Sequence, residues 1–486
     1  MKVSKFLPYV LLLYFLIPYI LLFRFFNLNT KFDYIEFFWA FKNSFAQALF
    51  SALLVTTLTI PMSLALFRVS AKTSSLVVKL LLLPQIMPTF FSILIAFSIW
   101  RPFPLGEVGI AFVFTLVHLG FAVILVHQAT SEKLGSFGVV SQIFNFSRLS
   151  FFKNIYFPVL RNDLIVCFLM IFIFCFSSFS IPLVAGGGRD TNIEVLIFEK
   201  IFIGQQWSTA WTLSVIQNLF LTAMSVFLFR KQVSVKREFS NSIYFSSQLG
   251  LMLVFIYLAT YLGGYIAGLL QAFPAIGQLS LFKDDILLAT VRSLKLLLVY
   301  LGITFILLYL WLKDFVQNHK LNFASHLLSA STVLVGFSIY LFFPQSREAD
   351  YFKIPLALSI LYFPSLFKSF LEKTVLQLKD QVITAQIFGV STSQIIWLIL
   401  VKRIKQPLMI WYSFLTIWFL SDFATLRALG TRETTLGLIA ENFLSSYRLS
   451  MAYLMSLYII LIWFFVLAVT YFLIGAGNGT YKKFKF

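Results

Sequence analysis

Apolar runs of about the length that crosses a membrane recur along the whole chain, separated by short polar breaks. "FLPYVLLLYFLIPYILLF" at 6–23 and "LMSLYIILIWFFVLAVTYFLI" at 454–474 are two of them. A helix needs about 20 consecutive apolar residues to span the ~30 Å hydrocarbon layer. Counting runs between breaks predicts twelve spans, near 6–26, 45–67, 77–100, 109–129, 162–184, 207–229, 248–268, 287–312, 324–344, 354–371, 406–427 and 451–475. Pro84 and Pro88 fall inside the third run and Pro182 inside the fifth. Proline is tolerated in membrane helices where neighbours satisfy the freed carbonyls, so these positions predict kinks. The expected fold class is an all-α polytopic membrane protein with twelve transmembrane helices.

Composition agrees: 59% of residues are hydrophobic, 12% are charged and 60 are Phe, whereas a soluble domain carries about a quarter charged residues. Lys2 and Lys5 precede the first run as they would in a signal peptide. No small-residue cleavage site follows, and the run continues through "FRFF" (23–26), so a retained first span is expected. Cys167 and Cys175 share one apolar segment and read as packing residues, not as a disulfide or metal pair.

Charge then sets direction. With the N-terminus cytoplasmic, 24 Lys and Arg fall on the inner side and 14 on the outer, while the acidic residues divide 6 to 13 the other way. Cytoplasmic loops carry the excess of Lys and Arg. The formal net charge of +19 therefore reflects topology and anionic lipid, not nucleic acid. An even number of spans puts the tail "YKKFKF" (481–486) in the cytoplasm as well.

Within this apolar text a small polar knot occurs twice. "GRDTNI" at 188–193 returns as "TRETTL" at 431–436, an offset of 243, in two outward-facing loops. On the inner side "QIFNFS" at 142–147 returns as "QIFGVS" at 386–391, an offset of 244, and "SF" at 178–179 stands where "DF" stands at 422–423. Chance matches of Phe are cheap in such a sequence; the polar identities Gln142/Gln386, Ser147/Ser391, Arg189/Arg432 and Thr191/Thr434 are not. They predict a tandem duplication, with a first repeat over 1–245 and a second over 246–486, six spans in each. Copies of six spans have the same orientation and are related by an axis along the membrane normal.

The inner loops at 130–161 and 372–405 each read as one or two short amphipathic helices, with the break at Asn145 and at Gly389, residue types that accept a left-handed backbone. Such corners suit docking to a pair of partner subunits; the alternative is a helix lying on the membrane surface.

These loops resemble the Glu-Ala-Ala loop of permease subunits of bacterial binding-protein-dependent ABC importers. The second copy keeps Ala385 and Gly389 but has Ile383 for the Glu and Lys402 for the Pro; the first keeps Pro158 but has Asn145 for the Gly. The outer stretches "CFSSFSIPLVAGGGRDTNIEVLIFEKI" (175–201) and "LSDFATLRALGTRETTLGLIAENFLSSYRLSMA" (420–452) are similar to those of the double-length permeases for thiamine and ferric iron. The thiamine permease is the closer match, through "TTL" and "SYR" (446–448). The resemblance implies a bacterial inner-membrane permease working with an ABC ATPase, in two copies, and a periplasmic substrate-binding protein. It implies that Gln142, Phe144, Asn145 and Ser147, with Gln386, Phe388, Gly389 and Ser391, form ATPase-coupling corners. It places Gly186, Gly187, Gly188, Arg189 and Asp190, with Gly430, Arg432 and Glu433, at the outer mouth, where the binding protein docks. The alternative reading of each Arg–acid pair is an internal pair that orders its own loop.

An ionisable residue near a span's interior suggests a pathway. Asp422, which stands where the first copy has Ser178, is the candidate, and thiamine is a cation; capping a helix or pairing with Arg427 is the alternative use. Arg292 and Lys295 lie within snorkelling reach of the outer surface and receive no role. The chain contains no Gly-Lys dipeptide and hence no Walker A loop, and His118, His127, His319 and His326 have no catalytic or metal spacing. No enzymatic activity, cofactor or metal is expected. A major-facilitator transporter is the rival class, but "FRVSAKTSSLVVK" (67–79) lacks the Gly and Asp of that family's loop.

Overall fold

A computed structural model of the chain describes residues 6–27, 32–144, 147–188, 190–229, 248–320, 331–431 and 433–476, all of them helical or in short connections. Up to residue 229 the helices are α1 (Leu7–Phe23), α2 (Tyr34–Ala65), α3 (Ala71–Ile86), α4 (Thr89–Ile99), α5 (Glu107–Ile143), α6 (Phe157–Phe176), α7 (Ser180–Ala185), α8 (Ile193–Phe202) and α9 (Trp207–Phe229). After residue 247 they are α10 (Gln248–Ala272), α11 (Lys283–Asn318), α12 (Thr332–Phe342), α13 (Arg347–Leu366), α14 (Lys379–Ile387), α15 (Lys405–Ser421), α16 (Ala424–Ala428), α17 (Leu436–Ser445) and α18 (Leu449–Ala476). The expected repeat boundary at 245/246 lies outside the described residues.

The apolar runs fall mainly on helix, apart from 324–330 of the ninth, which lie outside the described residues. Among the described residues six helical segments are long and apolar enough to cross a membrane, or seven if the bent pair α3–α4 is one span. Three local features lie behind this count. The helices α1 and α15 have 17 residues each, and the described part of the ninth run holds the 11-residue α12. The seventh and eighth runs are joined through a 3-10 stretch into one helical segment, Gln248–Asn318. At Pro88 the chain turns by 99° between α3 and α4; a proline at the head of a helix lacks an N–H that would be unsatisfied there anyway. The architecture is that of an all-α, multi-pass membrane protein.

Local chemistry sets the ends. Asp33 caps α2 by accepting from Ile35 N and Glu36 N at 3.0 and 3.1 Å, Ser331 caps α12 through Leu334 N at 3.2 Å, and Ser346 caps α13 through Ala349 N at 3.2 Å. Each cap satisfies a helix N–H with no intrahelical partner.

The first helix of each half packs on the other half. From α1, Tyr14 shares a hydrogen bond with Ser359 on α13, and the Phe15 ring lies 5.8 Å from Trp311 on α11; α1 also lies along α12. Reciprocally, α10 lies along α4 and α2. Its Tyr257 hydroxyl donates to Leu116 O at 2.8 Å, and Tyr261 shares a 3.3 Å hydrogen bond with Ser92. From α18, the Tyr453 hydroxyl donates to Leu94 O on α4. Lipid removes the hydrophobic drive between helices, so these side-chain hydrogen bonds and close packing select the partners.

Candidate functional sites in the paired loops

The loops that carry the two knots are tied down by the long helix that precedes each of them by well over a hundred residues. In the first loop, Asn43 Nδ2 donates to Thr191 O and Gln47 Nε2 to Asp190 O, each at 3.3 Å, and Ile193 N donates to Ser44 Oγ at 2.8 Å. In the second, Arg292 Nη1 donates to Thr434 Oγ1 and Leu436 N to Ser293 Oγ, each at 3.0 Å. Asn43 and Ser44 on α2 thus do what Arg292 and Ser293 do on α11. Two 10-residue helices follow, each with a side-chain cap: Asn192 Oδ1 accepts Val195 N at 2.9 Å, and Thr435 Oγ1 accepts Leu438 N at 3.5 Å.

The acidic positions exchange roles. Asp190 accepts Glu107 N at 2.8 Å. At the positions 243 further on, Asp350 accepts Glu433 N at 3.2 Å. The carboxylate sits on the knot in one loop and on the facing helix in the other, but the same two positions are joined. Glu433 is 4% exposed and lies 2.5 Å from Arg292 Nε, a close charge pair without hydrogen-bond alignment, with Arg347 at 3.8 Å. Asp350 pairs with the equally buried Lys353 at 2.7 Å. The internal pairing expected as the alternative role of Glu433 is therefore present, although with Arg292; Arg189 and Arg432 lie outside the described residues.

Gly186 ends α7, its N–H bonded to Pro182 O at 3.0 Å, and Gly187 and Gly188 follow at φ +59° and +73°. Two successive left-handed residues turn the chain from α7 toward the knot, a path that side chains disfavour. Gly430 sits at the corresponding turn after α16 with φ +53°. Ser178 offers its carbonyl to Asn192 Nδ2 at 2.8 Å. Asp422 is buried beneath α16: Oδ1 accepts Thr425 N and Oδ2 accepts Thr425 Oγ1, both at 2.9 Å, and the Tyr362 hydroxyl also donates to it. It caps a helix, while Arg427 pairs with Glu441 at 2.7 Å instead.

The corners near 142–147 and 386–391 also correspond where they are described. In the second, α14 ends at Ile387 with Phe388 just beyond it, and Gly389 N and Val390 N close on Gln386 O and Ala385 O at 2.9 and 3.0 Å with Gly389 at φ +74°; this is a glycine C-cap. Ser391 then starts a new helix, accepting Gln394 N at 3.4 Å while the Gln394 side chain returns to Ser391 N, a capping box. Gln386 Nε2 anchors the corner to Val316 O at the end of α11, at 2.7 Å. In the first, Gln142 lies on the last turn of α5, Asn145 falls outside the described residues, and Ser147 Oγ accepts Ser150 N at 3.2 Å. Both new helices pass into π-helical turns, Phe152–Tyr156 and Ile395–Val401. Phe144 and Phe388, matched in sequence, are 70% and 79% exposed at the tips.

One residue absent from the expected sites stands out. Tyr447 has φ +58° and its side chain is 90% exposed. A left-handed aromatic with no packing in return carries backbone strain of about 1 kcal/mol or more. Its only signal in the sequence is its place in "SYR". Among the described residues no group of His, Cys, Asp and Glu could hold a metal ion. Comparison with protein-family models, curated proteins and solved structures finds no match to this chain.

Proposed function

We propose that the chain is the permease subunit of a binding-protein-dependent ABC importer, built as a tandem duplication of a six-span unit in a bacterial inner membrane. The observation that carries this reading is the pairing of loops on both faces. Asn43/Arg292 and Ser44/Ser293, 249 residues apart, hold the outer knots, and Ser147/Ser391, 244 apart, cap the inner corners. A single-chain carrier needs no such twin corners; a chain that docks two identical ATPases does. In this reading Phe144 and Phe388 enter grooves of those ATPases, both termini are cytoplasmic, and ATP hydrolysis belongs to the partner.

The outer knots, with Tyr447, would form two lips that receive the lobes of a periplasmic binding protein, with charge complementarity setting the register. Thiamine stands ahead of ferric iron as substrate on "TTL" (434–436) and "SYR" (446–448). Asp422 is occupied by Thr425 and Tyr362, so attraction of a cation would require it to release Tyr362.

Purification of the tagged chain from its host in mild detergent, with mass spectrometry of co-purifying proteins, tests this. Recovery of a Walker A ATPase with the wild type, and its loss with Phe388→Ala/Gly389→Val, is the expected result. Recovery of the chain alone would remove the multisubunit reading and favour a facilitator. Uptake of labelled thiamine against ferric iron in cells lacking the chain then separates the two substrates.

A further inference from the structure

We infer that Glu194 is a proton-operated latch between the two halves of the chain: neutral, it lets α8 and α9 close on α12, and ionised, it weakens that contact. The inference rests on the contact itself and holds whatever the chain transports.

Glu194 is fully buried in the first turn of α8. Its Oε1 accepts Gln217 Nε2 from α9 at 2.8 Å, and its Oε2 accepts Ser331 Oγ at 3.0 Å. Ser331 is the residue that caps α12, so one carboxyl joins two helices of the first half to the start of a helix in the second. Gln217 Oε1 is buried beside it without a partner. When the carboxyl is neutral, its O–H donates to Ser331 Oγ or to Gln217 Oε1; when ionised, it can only accept.

No cation faces it among the described residues. The helix α9 carries no ionisable side chain, and α12 carries only Tyr340. From α1 comes Tyr19, whose hydroxyl accepts Asn218 Nδ2 at 2.7 Å. From α2 comes Glu36, and from α8 itself Glu199 and Lys200; Lys200 is taken by Glu36 at 2.5 Å, one face away. Burying a carboxylate without a counter-ion costs several kcal/mol, and such a group neutralises instead. Burial accordingly raises its pKa to about 7, with Gln217, Ser331 and the Val333 backbone N–H of α12 pulling it back only in part. The packed form therefore holds the proton below that pH. As pH rises through about 7 the proton leaves, and the charge opposes the packing.

The second half has no such group. At an offset of 243, Glu194, Gln217 and Ser331 correspond to Gly437, Ile460 and Pro88, none ionisable. The latch acts on one of the two inter-half contacts, and the other is a built-in control.

Nitroxide labels on Ile203→Cys and Phe352→Cys, exposed sites on either side of the latch, report the separation in the full-length protein in nanodiscs. Native Cys167 and Cys175 are buried. The distance distribution is expected to lengthen or broaden from pH 6 to pH 8.5 with a midpoint near 7, while labels on Ser446→Cys and Val108→Cys at the other contact stay constant. Glu194→Gln should hold the low-pH distribution throughout. Ser331→Ala, which removes a donor to the ionised form, should move the midpoint upward. An identical distribution at both pH values, a response retained by Glu194→Gln, or a midpoint unmoved by Ser331→Ala would overturn the inference.

Discussion

At the residue scale, the two knots solve one geometric problem with different chemistry. Asn43 holds the first loop with a neutral amide, and Arg292 holds the second with a charge against Glu433. Removing a neutral partner from a half-buried hydrogen bond costs about 1 kcal/mol. Removing one member of a largely buried ion pair costs more, because the remaining charge is stranded; with Arg292 side chain 15% exposed, about 2–3 kcal/mol is expected. Thermal unfolding in detergent should rank Glu433→Gln below Asn43→Ala, and the double change Arg292→Met/Glu433→Leu should recover much of the loss. Equal effects would mean that the pair is solvated. Tyr447 makes the opposite prediction. Its ring has nothing to lose, so Tyr447→Gly should keep or raise stability by up to about 1 kcal/mol; under the proposed importer reading it should also lower uptake. These anchors were only half legible. The repeated knots can be read from the text, because polar identities in apolar sequence are conspicuous. Asn43, Ser44 and Ser293 cannot, since a polar residue on a long helix names no partner nearly 150 residues away.

At the element scale, helix existence was legible and helix length was not. Apolar runs mark where helices lie, and Ser, Asp and Pro mark their starts. Whether a run is one span depends on tertiary contacts: Pro88 turns α3 away from α4, and the predicted eleventh span stops at Ser421 because Asp422 begins a new cap. Close helix packing is likewise written in glycines without stating which ones matter. A Cβ on Gly250 of α10 would stand 1.8 Å from Pro61 O on α2, a backbone atom with no room to yield, whereas Gly263, on the same helix, has nothing within 4 Å. Gly263→Ala should gain up to about 1 kcal/mol of helix propensity. Gly250→Ala should lower the thermal midpoint despite the same gain, since α10 must lift from α2. A matched pair of unfolding curves decides it, and equal shifts would show that the two helices are not in register as described.

At the scale of the whole molecule, the exchange of first helices decides how the halves depend on each other. Leu11, Phe15 and Leu22 of α1 are nearly fully buried, with Phe15 set against Trp311 and Phe363 of the second half. On α10, Tyr257 and Tyr261 are bonded into the first half. No pattern of apolar positions reveals this, because a helix facing lipid and a helix facing another helix are equally apolar. A half of the chain that folded on its own would leave these faces and the Tyr257, Tyr261 and Tyr453 hydroxyls without their partners, and in lipid an unsatisfied hydroxyl is costly. Splitting the chain near its middle, and expressing 1–238 and 239–486 together, should therefore give two fragments that co-purify in equal amounts. Either fragment alone should be degraded or aggregate. Tyr257→Phe with Tyr453→Phe should weaken the fragment complex while leaving the intact chain folded, because the covalent link supplies a high effective concentration that the separate fragments lack. Fragments that each purify as stable monomers would mean that the exchanged helices are accessory to two independent bundles, and any coordinated motion of the halves would then have to be driven from outside the chain.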